Sequence, residues 1–315
     1  MPDVRYFRKP VIIVGAPRSG TSLLQKIIRE HPEFVSVARE SDVIWFPYTY
    51  PSRNEWRQEG ILEPLSQLDV ARILSDYNNK VLSAGMWSRW SKSGIMDNSV
   101  ASKMVRSIYP AADKALSFLR KRFPQPEQAS RRLVDKSVHF SLWLSALEQV
   151  FPDALYIHIT RNPESCIKSM INGWQNAQRF NTYLIPESLN LGIAYKYWCF
   201  PMPPNWKICA QMPLLERVAN QWVEIQNTII GDLARPKREN RYLQIKLEEL
   251  SSNTRYCLGN IASFIEIQWS DYFENLTNTL PVVNSATYVD SAKGSDVSAN
   301  NIKSLINTPQ KELGY

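Results

Sequence analysis

The sequence predicts an α/β fold, in which a parallel sheet flanked by helices carries two aromatic-rich insertions at about 45–97 and 175–213. Short buried runs typical of strands alternate with longer stretches of helical apolar spacing, which favours parallel strands joined by crossover helices. The 315 residues contain no internal repeat, and a hydrophobic content of 44% is ample for a core. We therefore expect a single domain over residues 1–315.

Apolar spacing and helix breakers place the elements in order along the chain. A buried strand at 11–14 leads through a glycine loop to a helix at 21–30, which ends before Pro32. Residues 45–66 mix tryptophan, tyrosine and proline without periodicity, so we expect an irregular, substrate-lining segment there. The other predicted elements are a strand at 34–37, helices at 67–84 and 98–122, a strand from 133, a helix at 140–150, a strand at 154–160, helices at 163–172 and 213–230, a strand at 241–246, a helix at 254–265 and a polar tail from 281.

A glycine loop of the P-loop type joins the first strand to the first helix in residues 11–24, VIIVGAPRSGTSLL. The unpaired N–H groups of such a loop and the helix dipole face one point, which predicts an anion site. Gly15 and Gly20 have the Walker A spacing, but Thr21 stands where that pattern has its lysine. The basic residue is instead Arg18, inside the loop. An arginine there suits one terminal anionic group and its bridging oxygen without a metal, which argues against ATP.

Two further segments are expected at the same edge of the sheet, because ligands bind at the carboxyl ends of parallel strands. Asp135 and Lys136 end one predicted strand, and Arg161 ends another. Ser169 lies eight residues after Arg161 on the next predicted helix. A guanidinium and a hydroxyl so placed can both reach one phosphate.

Composition narrows the classes of partner and compartment. A net charge of +7 suits an anionic ligand, but the basic residues are spread along the chain, so no nucleic-acid partner is expected. Four cysteines without C-x-x-C spacing and only three histidines disfavour a metal site. The chain lacks an apolar run near the ~20 residues that cross a bilayer, and its first ten residues, MPDVRYFRKP, lack the apolar core typical of a signal peptide. We therefore expect a cytoplasmic protein without stable membrane insertion; the sequence indicates no oligomeric state.

Two blocks of the sequence resemble the sulfotransferases that use 3′-phosphoadenosine 5′-phosphosulfate (PAPS), in the bacterial, tyrosylprotein and heparan branch. GAPRSGTSLLQKIIREHPEF is similar to that family's 5′-phosphosulfate loop, and ALYIHITRNPESCIKSM resembles its 3′-phosphate site. RLVDKSVHF, KLEEL and the terminal ELGY are weaker matches. Leu23-Leu24 replaces a tryptophan that contacts adenine in the cytosolic branch, and Leu247 replaces the tyrosine of a Y-E-D-L element.

The resemblance implies a role for each residue of the two blocks. Backbone N–H groups of the loop would hold the 5′-phosphosulfate, and Arg18 would neutralise the leaving group. Arg161 and Ser169 would grip the 3′-phosphate, which would discriminate against ATP. PAPS would be the donor co-substrate and adenosine 3′,5′-bisphosphate (PAP) the product. The loop residues implied in donor binding are Gly15, Arg18, Ser19, Gly20, Thr21 and Ser22.

The base that takes the acceptor's proton has two candidates. The tyrosylprotein and heparan branches place a glutamate after the first helix and second strand, which implies Glu40; otherwise Glu40 is a surface carboxylate paired with Arg39 or Arg29. The cytosolic branch uses a histidine in a K-T-H pattern, which implies His139, although the spacing here is one residue longer. Otherwise His139 is a helix cap or a neighbour of the core.

Lys136 and the acceptor complete the expectations. Lys136 would touch the sulfate or orient the base, or else pair with Asp135. The aromatic insertions suit a small-molecule or saccharide hydroxyl acceptor, namely a carbohydrate, glycolipid or natural product. Two other classes stay open, a P-loop nucleotide kinase or triphosphatase and a non-catalytic anion-binding protein on the same scaffold.

Overall fold

A parallel sheet of five strands forms the centre of the computed structural model, which describes residues 7–37, 41–92, 132–192, 196–280 and 299–315. The described strands are β1 (Val11–Val14), β2 (Phe34–Val35), β3 (Arg132–Lys136), β4 (Leu155–Thr160), β5 (Asn181–Leu184), β6 (Tyr197–Cys199) and β7 (Tyr242–Lys246). The sheet order is β2-β3-β1-β4-β7, and β5 and β6 form a separate antiparallel pair. The predicted α/β fold with a parallel sheet is confirmed.

Helices cover the sheet and connect its strands. They are α1 (Thr21–Arg29), α2 (Asp42–Thr49), α3 (Gln67–Lys92), α4 (Leu144–Val150), α5 (Pro163–Gln175), α6 (Ala177–Phe180), α7 (Trp206–Ala210), α8 (Leu214–Leu233), α9 (Leu247–Ser252), α10 (Thr254–Phe264), α11 (Asp271–Thr279) and α12 (Ala299–Glu312). Short 3₁₀ turns span Pro51–Asn54, His139–Leu142, Glu187–Leu189 and Pro236–Arg238. Among the described helices, none combines the length and the apolar character that crossing a bilayer requires.

Strand β1 lies in the middle of the sheet and is buried on both faces. Ile12 pairs with Asp135 of β3 on one side and with Tyr156 of β4 on the other. Its side chains alternate between two hydrophobic cores: Ile12 and Val14 enter one, and Val11 and Ile13 enter the other. The chain passes from β3 across β1 to β4, so the loop after β1 lies where the direction of the connections reverses, the usual ligand position in such sheets.

The first aromatic insertion is more regular than the sequence predicts. Helix α2 forms despite Pro47, and Trp45 is fully buried with its indole N–H donating to the Tyr77 hydroxyl at 2.6 Å. The expectation of an irregular, substrate-lining segment is therefore wrong for Trp45, which packs into the core against α3. Burial of the Trp45 indole stabilises helix α2 at this position, whereas Pro47 had indicated a break in the helix.

Other element predictions differ in detail. The predicted helix at 140–150 divides into a 3₁₀ turn and α4, and Trp198 and Trp206 of the second insertion are fully buried rather than lining an acceptor site. Helix α12 occupies part of the polar tail from 281, where no helix was predicted, and it packs on α8. The predicted helix at 98–122 lies outside the described residues.

Asp135 of β3 is a fully buried carboxylate that accepts hydrogen bonds at both of its oxygens. The Tyr77 hydroxyl donates to its Oδ2 at 2.7 Å, and the Lys136 N–H donates to its Oδ1 at 2.8 Å. Burial outweighs these bonds and raises the pKa of Asp135 to about 7. The folded protein therefore holds a proton, from the ordinary pKa near 3.8 up to about pH 7, that the unfolded chain releases. Its free energy of unfolding falls as pH rises through this window.

Asp135→Asn is expected to remove this part of the pH dependence. Between pH 5 and pH 8 the free energy of unfolding of the variant should gain roughly 2–3 kcal/mol relative to wild type. Urea denaturation at the two pH values measures the difference. Burial lowers the pKa of His158 to about 4, but that contribution is common to both proteins and cancels. A difference between variant and wild type that is equal at both pH values would contradict the assignment.

Candidate active site

The loop between β1 and α1 requires both of its glycines. A Cβ on Gly15 would lie 2.5 Å from the carbonyl oxygen of Ile159 and 2.6 Å from Ser19 Oγ. Gly20, the residue that precedes α1, has φ of +104°, a backbone conformation that residues with a side chain disfavour. Arg18 is also left-handed, with φ of +73°. Left-handed residues at 18 and 20, with Ser19 between them, turn successive N–H groups to one side and form an anion-binding concavity.

Four carbonyl groups of the loop are held by the protein. Four successive carbonyl oxygens, those of Gly15, Ala16, Pro17 and Arg18, accept in turn from Ser141 Oγ at 3.2 Å, Ser19 N–H at 3.2 Å, Cys166 Sγ at 3.0 Å and Arg161 Nη1 at 3.3 Å. In α1 the Leu23 and Leu24 N–H groups donate to the Gly20 carbonyl, at 3.0 and 3.1 Å. The N–H groups of Thr21 and Ser22 before them have no acceptor within the helix. The carbonyl oxygens of the loop therefore bond to the protein, and N–H groups at the start of α1 stay available to a ligand.

A cavity of about 540 Å³ opens at the carboxyl edge of the sheet, against this loop. Its described wall is made by Pro17, Arg18, Gly20, Thr21, Ser22, Leu23, Asp42, Phe46, Lys136, Val138, His139, Arg161, Phe180, Asn181, Thr182, Phe200 and Leu247. Arg18, Lys136 and Arg161 bring positive charge to this wall and Asp42 a carboxylate, so the balance suits an anion.

Most of the residues that the sequence singles out meet at this cavity. Arg18, Gly20, Thr21, Ser22, Lys136, His139 and Arg161 line it. Gly15 supports the loop from behind, and the Ser19 hydroxyl is buried beneath it, so neither belongs to the described wall. Glu40 lies outside the described residues.

Arg18 connects the loop to helix α5. Its Nε donates to Ser169 Oγ at 3.0 Å, and its guanidinium lies 5.5 Å from the centre of the Phe180 ring. Ser169, expected beside a 3′-phosphate, is thus bonded to the arginine expected at the other end of the ligand. Together with the bond from Arg161 to the Arg18 carbonyl, this places the two expected anion sites next to each other.

The segment that follows β4 fixes Arg161 at the cavity. Asn162 caps α5 by accepting from Ser165 N–H at 3.0 Å. Its own N–H donates to Glu248 Oε1 at 2.8 Å, and the Tyr315 hydroxyl donates to Glu248 Oε2 at 3.0 Å. Since α9 and the tail both hold this turn, Arg161 projects from a fixed backbone.

His139 lines the cavity on one side and contacts a buried carboxylate on the other. Its Nδ1 lies 3.0 and 3.1 Å from the two carboxylate oxygens of Glu59, whose side chain is 0% exposed. The Tyr183 hydroxyl and the Met202 N–H also donate to Glu59, the latter at 2.8 Å. Burial, with the Glu59 charge, holds the pKa of Tyr183 well above its usual value, so its hydroxyl stays a donor.

Sequence reasoning missed several residues of this site. Asp42 and Phe46 of α2 line the cavity, as do Phe180 and Phe200 of the second insertion. Asp42 also accepts from the Ser137 hydroxyl, next to His139. Trp45, Trp198 and Trp206 of the aromatic insertions are buried in the core. Phe46, Phe180 and Phe200 of the same insertions are in the cavity wall.

Comparison with known proteins places the chain in a family. A model of the sulfotransferase family matches residues 10–199, which is more than half of the chain. No curated protein sequence matches it. Solved structures similar to it include the sulfotransferase domain of the Synechococcus PCC 7002 olefin synthase, with 21% identity over 98% of this chain and 96% of that one and a TM-score of 0.47. A mouse sulfotransferase, SULT7A1 complexed with PAP, has 11% identity over 97% and 86% of the two chains and a TM-score of 0.44. On the family match, the chain belongs to the sulfotransferase family.

Proposed function

We propose that the protein transfers the sulfuryl group of PAPS to a hydroxyl acceptor, giving PAP and a sulfate ester. The observation that carries the proposal is the meeting of Arg18, Arg161 and the N–H groups of the loop on one cavity. Two anionic ends of one nucleotide would need such a pair of neighbouring cationic positions. Membership of the sulfotransferase family supports the reaction class.

The donor side of the cavity suits a nucleotide with phosphates at both ends of its ribose. The N–H groups at the start of α1, with the Thr21 and Ser22 hydroxyls, would bind the 5′-phosphosulfate. Arg18 would stabilise the negative charge that develops on the bridging oxygen as the bond to sulfur breaks. Arg161, assisted by Ser169, would bind the 3′-phosphate through charge-assisted hydrogen bonds. PAPS, when bound, supplies the sulfuryl group.

The acceptor side needs a base, and His139, which lines the cavity, would serve as that base. It would take the proton of the acceptor hydroxyl, whose oxygen forms the new bond to sulfur while the old S–O electron pair leaves with PAP. Lys136, in the same wall, would add positive charge beside the transferred sulfonate. Glu40 is the competing candidate for the base.

The acceptor that we propose is a small molecule or a saccharide with a reactive hydroxyl, such as a carbohydrate, a glycolipid or a natural product. Phe46, Phe180 and Phe200 give the cavity an aromatic component, onto which sugar faces and apolar ring systems pack. Asn181 and Thr182 add neutral hydrogen-bonding groups beside them. A screen of hydroxyl acceptors with a labelled sulfate donor identifies the class.

Ligand selectivity tests the proposal. PAP at 100 times its dissociation constant should stabilise the protein by about 2.7 kcal/mol, seen as a thermal shift. At the same concentration as PAP, AMP should stabilise the protein less, because it lacks the 3′-phosphate. ATP with Mg²⁺ at that concentration should also stabilise it weakly, because Thr21 occupies the position of the Walker lysine. Equal stabilisation by ATP–Mg²⁺ would instead favour a nucleotide triphosphatase.

A further inference from the structure

The carboxylate of Glu59 lies directly behind the cavity wall. The Glu59 side chain is 0% exposed and does not line the cavity in the described part of the chain. It contacts His139, which does line the cavity. A fully buried glutamate is unusual unless its oxygens are bonded, since removing the charge from water is costly. Its partners therefore indicate why it is placed there.

Two hydrogen-bond donors and the imidazole of His139 converge on this carboxylate. The Met202 N–H and the Tyr183 hydroxyl both donate to Oε2. His139 Nδ1 faces both oxygens, at 3.0 Å from Oε1 and 3.1 Å from Oε2. An ionised carboxylate only accepts hydrogen bonds, so this arrangement places the hydrogen of the imidazole on Nδ1.

The imidazole ring of His139 is fixed on its faces and edges as well. It stacks on Trp143 with centroids 6.2 Å apart and an interplanar angle of 19°. The Phe46 ring meets it edge-on at 5.7 Å. Rotation of the ring, which would exchange its two nitrogens, would break the bond to Glu59 and disturb both contacts.

The segment that carries Glu59 is held in a strained conformation. Glu55 and Trp56 are left-handed, with φ of +53° and +58°. Asn54 Nδ2 donates to the carbonyls on both sides of Glu59, to Gln58 at 3.3 Å and to Gly60 at 2.8 Å. Strain of this kind persists where the surrounding structure determines it, and it is concentrated at functional sites.

We propose that Glu59 is a positioning residue for the acceptor base. It holds His139 in the tautomer with hydrogen on Nδ1, so that Nε2 can take the proton of the acceptor hydroxyl. The role of His139 in proton transfer rests on the proposed function. The tautomer of His139 does not, because it is a property of the ligand-free protein.

The tautomer is measured first, in the wild-type protein without ligand. Nitrogen-15 chemical shifts of the His139 ring should show hydrogen on Nδ1 and a lone pair on Nε2. Hydrogen on Nε2 would overturn the proposal, whatever reaction the protein catalyses. If the expected tautomer is found but PAP does not bind, the proposed function fails and the role of Glu59 in fixing the ring stands.

Glu59→Gln is the matching substitution. With its oxygen kept toward Met202 and Tyr183, the new amide presents N–H to His139, which must then accept at Nδ1 and carry its hydrogen on Nε2. We expect the tautomer to reverse and kcat to fall by about 10- to 1000-fold, with the Kd for PAP unchanged. Unchanged kcat with a reversed tautomer, or loss of PAP binding in parallel with kcat, would overturn the proposal in favour of a structural role.

Glu148→Gln is the control. Glu148 is a partly buried carboxylate that pairs with Arg238 and Arg241 away from the cavity. The same chemical change there should lower stability and leave kcat and the His139 tautomer as in wild type. An equal loss of kcat in both variants would contradict a specific role for Glu59.

Discussion

Replacing Arg161 with alanine should abolish the preference for PAP over AMP. If Arg161 binds the 3′-phosphate, its loss removes one or two charge-assisted bonds to PAP, about 2–3 kcal/mol or about 30- to 150-fold in Kd. AMP has no 3′-phosphate, so its Kd should change little. Titration calorimetry with both nucleotides measures the ratio, and Arg161→Lys should give an intermediate value because lysine keeps the charge but not the planar fork.

The structure offers one other explanation for a loss of binding, which the same experiment separates. Arg161 also donates to the Arg18 carbonyl, so its removal could loosen the loop. In that case the Kd values for PAP and AMP would rise by the same factor, and the assignment of Arg161 to the 3′-phosphate would be wrong. Arg57→Ala is the control, because Arg57 is an exposed arginine paired with Glu55.

The second large effect is expected at His139. Asparagine at this position can still donate to Glu59 from its amide but has no counterpart of Nε2, so it removes the proposed base and keeps the buried bond. We expect kcat to fall by about 10²- to 10⁴-fold, with the Kd for PAP unchanged. Steady-state transfer from labelled PAPS to the best acceptor of the screen measures kcat.

Glu40→Gln is the competing variant and decides between the two bases. A large loss of turnover in Glu40→Gln, with near-normal turnover in His139→Asn, would assign the base to Glu40. Full activity in His139→Asn would also remove the reason for a positioning role of Glu59. Both variants should bind PAP as wild type does, which separates loss of chemistry from loss of fold.

The fold could be predicted from sequence where local pattern and tertiary burial agree. Strand β1 and helix α1 are examples, because a buried run, a glycine loop and an amphipathic helix follow one another directly. Helix α2 was missed because Pro47 indicated a break, whereas burial of Trp45 against Tyr77 decides the outcome. That contact spans 32 residues and leaves no local pattern.

In the candidate site, too, residues with a local sequence pattern could be predicted and residues held by distant contacts could not. Arg18 and Arg161 could be placed because each follows a buried strand at the same edge of the sheet. Ser19 was expected to face the ligand, but its hydroxyl occupies the space that Gly15 leaves by lacking a Cβ. Glu59 could not be found, since its contacts to His139, Tyr183 and Met202 span 80, 124 and 143 residues.

The four tethered carbonyls of the anion loop have a consequence for the kinetics and thermodynamics of binding. Fixing a flexible loop around a ligand costs conformational entropy, and that cost is subtracted from affinity. Here the neighbouring strand and helices hold the peptide planes in place before a nucleotide arrives. Association should therefore resemble rigid docking, at a rate set by diffusion and by the attraction of the basic wall, and slower in high salt.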